Sequence, residues 1–459
     1  MGVRLAALMM SAALLAILSA SAAVSAPPQR IAAQPAPLAP RGAVTRHVLD
    51  NGLTVIIKEN PSSDLVVTEA IVRAGPRFEE RQSSGITFFM RAMVVRGTQR
   101  RTGPEIAQAI ESVGGQLGGG TGADFVSVYA VTPSRYVDAG MELIADLLTN
   151  AKFDPEDVET QRRVSLSRIS QNADQPLQRA IELFNATLYP YHPYAQSTFG
   201  VAESVNAITR DQLVDHYQTY VTAPNTVVIV AGNIAEADAI QKVTRAFASL
   251  RSTAPPRKAR LLRVVERALA PRPPAPREVR ETRSISAAWI ALGYLGVPVG
   301  HRDFAALRVL NAVLGEGFSS RLFTEIRDKR GLAYQVGSSL LARAGPGNLL
   351  AVAGTDPSNL SAVVTGMLRE MDRARSEGVP PEEVERAKRS VIGRYAIAHE
   401  QLEQQAFYLG WYEIMGVGYA YDERFVRDIA RVSPADVHRV ARLYLNNHVV
   451  AIVAPPAAR

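Results

Sequence analysis

The sequence predicts an α+β chain of two homologous domains, and three observations carry that prediction. The chain repeats itself loosely at an offset of about 225 residues. Strand-like and helix-like stretches alternate in each half with no G-x-G-x-x-G fingerprint after a strand, which argues against a Rossmann sheet. Finally, 459 residues, 47% hydrophobic and 21% charged, suffice for at least two sizeable cores without covalent staples.

Residues 1–26 read as an address. A basic start at Arg4 precedes an apolar stretch from Leu5 to Leu18 and small residues at Ala20, Ala23 and Ala26, the pattern of a secretory signal peptide. That stretch is shorter than the roughly 20 residues a spanning helix needs, and no other segment reaches that length, so no membrane span is expected. Residues 27–44, rich in Pro and Ala, are expected to form a flexible leader. The first domain then covers 45–250 and the second 281–459. Between them, 251–280 holds six Pro and eight Arg and reads as an exposed linker.

Inside the domains, Val66 to Arg73 and Ser286 to Gly293 look like strands, while Val137, Met141, Ile144 and Leu148 recur at helical spacing. Phe153-Asp-Pro-Glu-Asp-Val-Glu159 and Val379-Pro-Pro-Glu-Glu-Val-Glu385 each open a helix. Some fifty residues later, Thr209 and Ser433 each look like an N-cap, followed by the β-rich runs Thr226 to Val230 and Val449 to Val453.

Composition narrows the chemistry. With no Cys there are no disulfides, thiol nucleophiles or Cys-ligated metals, so any metal must use His and carboxylates. An exported chain without Cys fits a bacterial periplasm, or secretion, best. The net charge of +7 is spread along the chain without a basic run, so nucleic acid is not an expected partner. His399-Glu400-Gln-Leu-Glu403 begins like the H-E-x-x-H of a zincin but ends in Glu, and is expected to be a solvated helix face. His47, His192, His216, His301, His438 and His448 form no spaced pair.

The most informative stretch runs Gly75-Pro-Arg-Phe-Glu-Glu and then Gly85-Ile-Thr-Phe-Phe-Met-Arg-Ala-Met-Val-Val-Arg-Gly-Thr98. It resembles the inverzincin peptidases, the family of pitrilysin, insulin-degrading enzyme and mitochondrial processing peptidase, whose H-x-x-E-H lies in a framework like G-L-x-H-F-x-E-H-M-x-F-x-G-T. Gly85, Phe89, Met93, Gly97 and Thr98 keep that framework. Zinc chemistry needs two His four apart on one helix face and a Glu between them as general base. At those positions this chain carries Phe88, Arg91 and Ala92. Phe and Ala offer no ligand atom, and Arg91 puts a permanent cation where the family has a carboxylate. The same resemblance places Gln161 and Arg168 at the family's two acidic positions on a later helix.

A second motif is better kept. Ser319-Ser-Arg-Leu-Phe-Thr-Glu-Ile-Arg-Asp-Lys-Arg-Gly-Leu-Ala-Tyr334 closely resembles the family's C-terminal-domain signature. There an Arg and a Tyr seven residues apart reach the peptide at the zinc site, which assigns those roles to Arg327 and Tyr334. A guanidinium and a phenol can stabilise the oxyanion formed when water attacks a peptide carbonyl. The family's substrate-binding edge strand, G-G-x-x-N-A-x-T, is represented by Gly114-Gly-Gln-Leu-Gly-Gly-Gly-Thr121, whose extra glycines predict a weaker grip.

The resemblance implies two mainly antiparallel sheets covered by helices, together half of a clamshell. It implies a non-catalytic subunit of a periplasmic heterodimeric zinc peptidase, inactive and without zinc alone, giving Arg327 and Tyr334 to a zinc-bearing partner that hydrolyses peptides. The alternative is a stand-alone pseudopeptidase that binds peptides or scaffolds a complex.

Overall fold

The computed structural model describes residues 43–253 and 273–456. The expected signal peptide, nearly all of the leader and most of the linker lie outside the described residues. The first sheet has the order β1-β2-β6-β3-β5-β4, from β1 (Val44–Val48), β2 (Thr54–Glu59), β3 (Leu65–Val72), β4 (Gln116–Thr121), β5 (Val126–Pro133) and β6 (Thr226–Gly232). The second has the order β7-β11-β8-β10-β9, from β7 (Arg277–Thr282), β8 (Ala288–Leu295), β9 (Gln335–Leu341), β10 (Asn348–Thr355) and β11 (Val449–Ala454). Without β1 the two orders are the same, and the parallel pair β2/β6 recurs as β7/β11 among otherwise antiparallel neighbours. The sequence repeat is therefore a repeat of topology. One boundary differs: Arg277 to Arg280, assigned to the linker by its Arg content, are strand. The prolines end at Pro276, and an edge strand tolerates charged side chains that face water.

The helices repeat as well. In the first half α1 (Ile86–Val94) and α2 (Gly103–Glu111) follow β3, and α3 (Val137–Thr149), α4 (Pro155–Ala173), α5 (Pro176–Leu188), α6 (Ala202–Ala207) and α7 (Arg210–Tyr220) lie between β5 and β6, with α8 (Glu236–Ala246) after β6. In the second half α9 (Phe304–Gly315) follows β8. Then α10 (Leu360–Ser376), α11 (Pro381–Ala398), α12 (Leu402–Ile414), α13 (Tyr421–Arg431) and α14 (Pro434–Tyr444) lie between β10 and β11. Thr209 and Ser433 cap equivalent helices in equivalent ways, each in a capping box closed by Gln212 or Asp436.

Strand alternation gives each sheet two apolar faces, and the halves cover them reciprocally. On one face of the first sheet Val55, Ile57, Val66, Ala70 and Val128 pack under α1, α3 and α7. On the other, Ile56, Val67, Ile71 and Ile229 meet Leu402, Ala406 and Leu409 of α12, a helix of the second half. In exchange, α5 of the first half sets Phe184 and Leu188 on Ala291, Leu350 and Val449 of the second sheet. Each exchange rests on a glycine at the point of closest approach. A Cβ at Gly410 of α12 would lie 2.3 Å from Ile229 Cδ1, and one at Gly293 of β8 would lie 2.8 Å from Phe184 Cζ. Polar ties fix α12 lengthwise: buried Lys58 donates to Gln405 Oε1 at 2.6 Å, Arg73 to the Ile414 carbonyl at 3.3 Å, and Arg46 to Glu413 at 2.8 Å.

The turn between α11 and α12 overturns one expectation. His399 is buried, whereas Glu400 is exposed. Its ring stacks on Tyr408 at 4.7 Å, its Nδ1 lies 2.7 Å from the Tyr395 carbonyl, and its Nε2 lies 2.7 Å from Asp422, which also accepts from the Tyr395 hydroxyl. Sequence periodicity could not show that α13 folds back to supply this buried carboxylate.

Candidate functional site

The start of α1 is fixed by backbone geometry. Gly85 sits at φ +91°, and a Cβ there would come within 2.6 Å of the Phe199 carbonyl, so only glycine allows the two backbones to cross. Glu79 then takes the first free amides of the helix, accepting from Gly85 N–H at 2.7 Å and Thr87 N–H at 2.9 Å. Burial pushes the Glu79 carboxyl up to about 7 against the pull of those bonds. Thr87 is braced from below, its hydroxyl 2.9 Å from Nε2 of half-buried His216. Phe89, Met90 and Met93 face the core, which fixes the direction in which Phe88, Arg91 and Ala92 project.

Two of the degenerate positions come together. The Phe88 ring meets Phe199 edge to face at 4.8 Å, and the Arg168 guanidinium of α4 lies 5.5 Å from the centroid of the same ring. Gln161, two turns earlier on α4, is buried and spent on structure: it accepts from Arg96 at 3.1 Å and donates to Ser165 at 3.4 Å. Phe199 was not singled out in the sequence, because it lies in a loop 31 positions beyond Arg168 with no periodicity to mark it.

Arg91 is half-buried, and loss of hydration lowers the pKa of its guanidinium; the Tyr129 hydroxyl is its electrostatic neighbour. Its Nε is buried and has no hydrogen-bond partner among the described residues. Tyr129 stands on β5 opposite Gly118 of β4, and its ring fills the space where a Cβ at Gly118 would be, 2.4 Å from Tyr129 Cζ. Thus α1, β5 and the edge strand β4 converge at Arg91. Opposite Tyr129, on β3, is Glu69, buried and pushed up to about 8 by desolvation.

These positions do not fit a zinc ion. Phe88 and Ala92 carry no donor atom, Arg91 and Arg168 are cations, and among the described residues no group of three or more His, Asp or Glu side chains could hold a metal.

The second half presents its pair elsewhere. A π-helical turn, Phe323–Asp328, carries Arg327, whose guanidinium lies 5.0 Å from the Phe323 centroid; Phe323 meets the exposed Phe318 edge to face at 5.1 Å. Tyr334 precedes β9, its backbone N–H donating to the Gly354 carbonyl at 2.9 Å while the side chain is 64% exposed. Arg327 makes no ion pair among the described residues, and neither side chain contacts Phe88, Arg91, Ala92 or Arg168. Tyr334 is exposed and Arg327 half-buried, and neither polar group makes a side-chain hydrogen bond among the described residues.

Known proteins match this architecture along most of its length. Residues 54–201 match the family model described as Insulinase (Peptidase family M16), and residues 207–391 match the one described as Peptidase M16 inactive domain. An uncharacterized zinc protease of Mycobacterium leprae is 31% identical over 422 residues, 90% of this chain and 92% of that protein. Another from Streptomyces coelicolor is 29% identical over 413 residues, 87% of each. Among solved structures, a peptidase M16 inactive domain from Pseudomonas fluorescens superposes with a TM-score of 0.83 at 21% identity, covering 91% of this chain and 99% of that one. A protease from Helicobacter pylori gives 0.82 at 20% identity, covering 90% and 100%. Retained framework, repeated topology and these matches agree: the chain belongs to peptidase family M16.

Proposed function

We propose that this chain is the non-catalytic subunit of a heterodimeric zinc peptidase and donates Arg327 and Tyr334 to the site of a zinc-bearing partner. The observation that carries this reading is the contrast within one chain. The four positions that would build a metal site, 88, 91, 92 and 168, hold no ligand, while Arg327 and Tyr334 stand in a well-kept motif with Tyr334 open to solvent. A pure scaffold has no use for an uncommitted guanidinium and phenol placed seven residues apart.

In the partner's site the two groups would act as hydrogen-bond donors to a peptide carbonyl, stronger as charge builds on its oxygen. Stacking on Phe323 limits the rotamers of Arg327, so less entropy is lost when it engages substrate. The chain itself holds no zinc and cleaves nothing alone, and we place the complex in the periplasm on the strength of residues 1–26.

The test is reconstitution. Mixed with a family member carrying intact H-x-x-E-H, the chain should restore chelator-sensitive peptidase activity that neither shows alone. Co-purification without activity would favour a pseudopeptidase that scaffolds a complex, and no association would favour one that stands alone; stoichiometric zinc with hydrolysis by the isolated chain would overturn both readings.

A further inference from the structure

The junction between the two halves holds a buried cation that no carboxylate answers. Arg343, in the turn from β9 to β10, is 9% exposed and makes no ion pair and no side-chain hydrogen bond among the described residues. Its guanidinium lies 4.3 Å from the ring centroid of Tyr194 and 5.3 Å from that of Tyr189, both from the first half. Such contacts engage the face of a guanidinium and leave its N–H donors unused, and Nη1 is buried without a partner among the described residues. Burying a charge with neither an opposite charge nor a ligand is costly, so folded proteins seldom do it.

The carboxylate at this junction is committed elsewhere. Asp124 accepts from Arg77 Nη1 at 3.1 Å, from the Tyr194 hydroxyl at 2.5 Å and from the Ala344 N–H at 3.3 Å. A second unmet donor stands beside Arg343. The His192 ring borders the same two tyrosines, 4.4 Å from Tyr194 and 5.9 Å from Tyr189 between centroids. Burial, and then the charges of Arg77 and Arg343, depress His192 to about 4, so the ring is neutral at physiological pH. Its Nδ1 accepts from the Tyr194 N–H at 3.1 Å, which leaves the ring proton on Nε2. That Nε2 is buried and also has no partner among the described residues.

We infer that this junction binds a small monovalent anion of the halide class, held between Arg343 Nη1 of the second half and His192 Nε2 of the first. A water molecule would accept both hydrogen bonds but leave the charge unmatched, and its own protons would need acceptors. Chloride accepts from both donors and brings one negative charge. A larger oxyanion brings more acceptor atoms than two donors can serve. Because its ligands come from opposite halves, the ion is a clip across the interface that α5 and α12 build. The inference stands on the junction alone and does not depend on the role of Arg327 and Tyr334.

The full chain is the material for the test. Crystals grown in sodium bromide should show an anomalous peak in contact with both nitrogens. In thermal unfolding at constant ionic strength, exchanging gluconate for chloride should raise the Tm by roughly 1–2 °C for each tenfold rise in chloride above its dissociation constant. Arg343→Met should remove that response and raise the Tm measured in gluconate, because it takes a buried cation out of the ion-free chain. His192→Asn keeps an acceptor for the Tyr194 N–H but lacks the second donor, so more chloride should be needed for the same rise. No peak at the junction, a parent Tm indifferent to chloride, or the same chloride response in a folded Arg343→Met chain would each overturn the inference. The bromide measurement uses the parent chain, so it decides the matter even where a variant fails to fold.

Discussion

Phe88 and Arg168 share one neighbour: the Phe199 ring stands 4.8 Å from the first and 5.5 Å from the guanidinium of the second. A single aromatic side chain thus joins two positions that a metal ion would otherwise join. Reversion of the four lost positions, Phe88→His, Arg91→Glu, Ala92→His and Arg168→Glu, should therefore restore zinc binding poorly while Phe199 remains. Adding Phe199→Leu, which keeps the loop apolar but shortens the side chain, should bring binding to one zinc per chain. Elemental analysis and calorimetry on both variants decide this, and equal failure with native-like folding would mean that the supporting hydrogen bonds have drifted too.

Tyr334 and Arg327 separate activity from stability. Tyr334 is 64% exposed, so Tyr334→Phe should leave the unfolding free energy within about 0.5 kcal/mol of the parent. In the reconstituted peptidase the same change should lower kcat by roughly 10²–10³, the usual cost of one oxyanion donor. Arg327→Ala should lower kcat and raise KM if it also positions substrate. Full activity with both variants would make the pair structural.

Glu69 gives stability a pH slope whose sign is fixed. Its carboxyl is raised from 4.5 to about 8 in the folded chain, so folding favours the protonated form, and that contribution is lost as pH rises from 4.5 through 8. Glu79 acts in the same direction up to about 7. His216 and His192 are depressed to about 3 and about 4, so their contributions are lost only as pH falls below 6.5. Between pH 7 and 8 the slope from Glu69 stands clear, at about 1 kcal/mol per pH unit. Denaturant unfolding across that window should show the decline in the parent and only a shallow remnant from Glu79 in Glu69→Gln.

The exchanged helices should be sensitive to the addition of one to three carbon atoms. Gly410→Val would drive side-chain atoms into Ile229 and Ile71, and Gly293→Ala into Phe184 and the Leu349 carbonyl. Each should cost about 1–3 kcal/mol, seen as a fall in the denaturant midpoint. A midpoint unchanged in either variant would show that the interface yields freely.

Short-range signals in the sequence were read well, because caps, amphipathic periods and β-rich runs depend on neighbours within a turn or a strand. Thr209 and Ser433, the face of Val137 to Leu148 and the strand at Val66 are of this kind. What could not be read depends on partners distant in the chain. Phe199 closes the degenerate site from a loop, Asp422 draws His399 inward from another helix, and Tyr129 matters only because β5 sets it against Gly118. The strand at Arg277 was missed for a different reason: arginine count suggested a linker, but pairing with β11 decided the outcome.

The reciprocal placement of α5 and α12 has a consequence during synthesis. The first sheet presents Ile56, Val67, Ile71 and Ile229 to a helix that begins only at Leu402, about 170 residues after β6 has been made. Until then one whole oily face of the early half is wet and adhesive. Neither half can reach its final form by itself, and cutting the chain between them would yield two fragments that fold only by finding each other. Maturation is a single late event, in which the last quarter of the polypeptide closes what the first half left open.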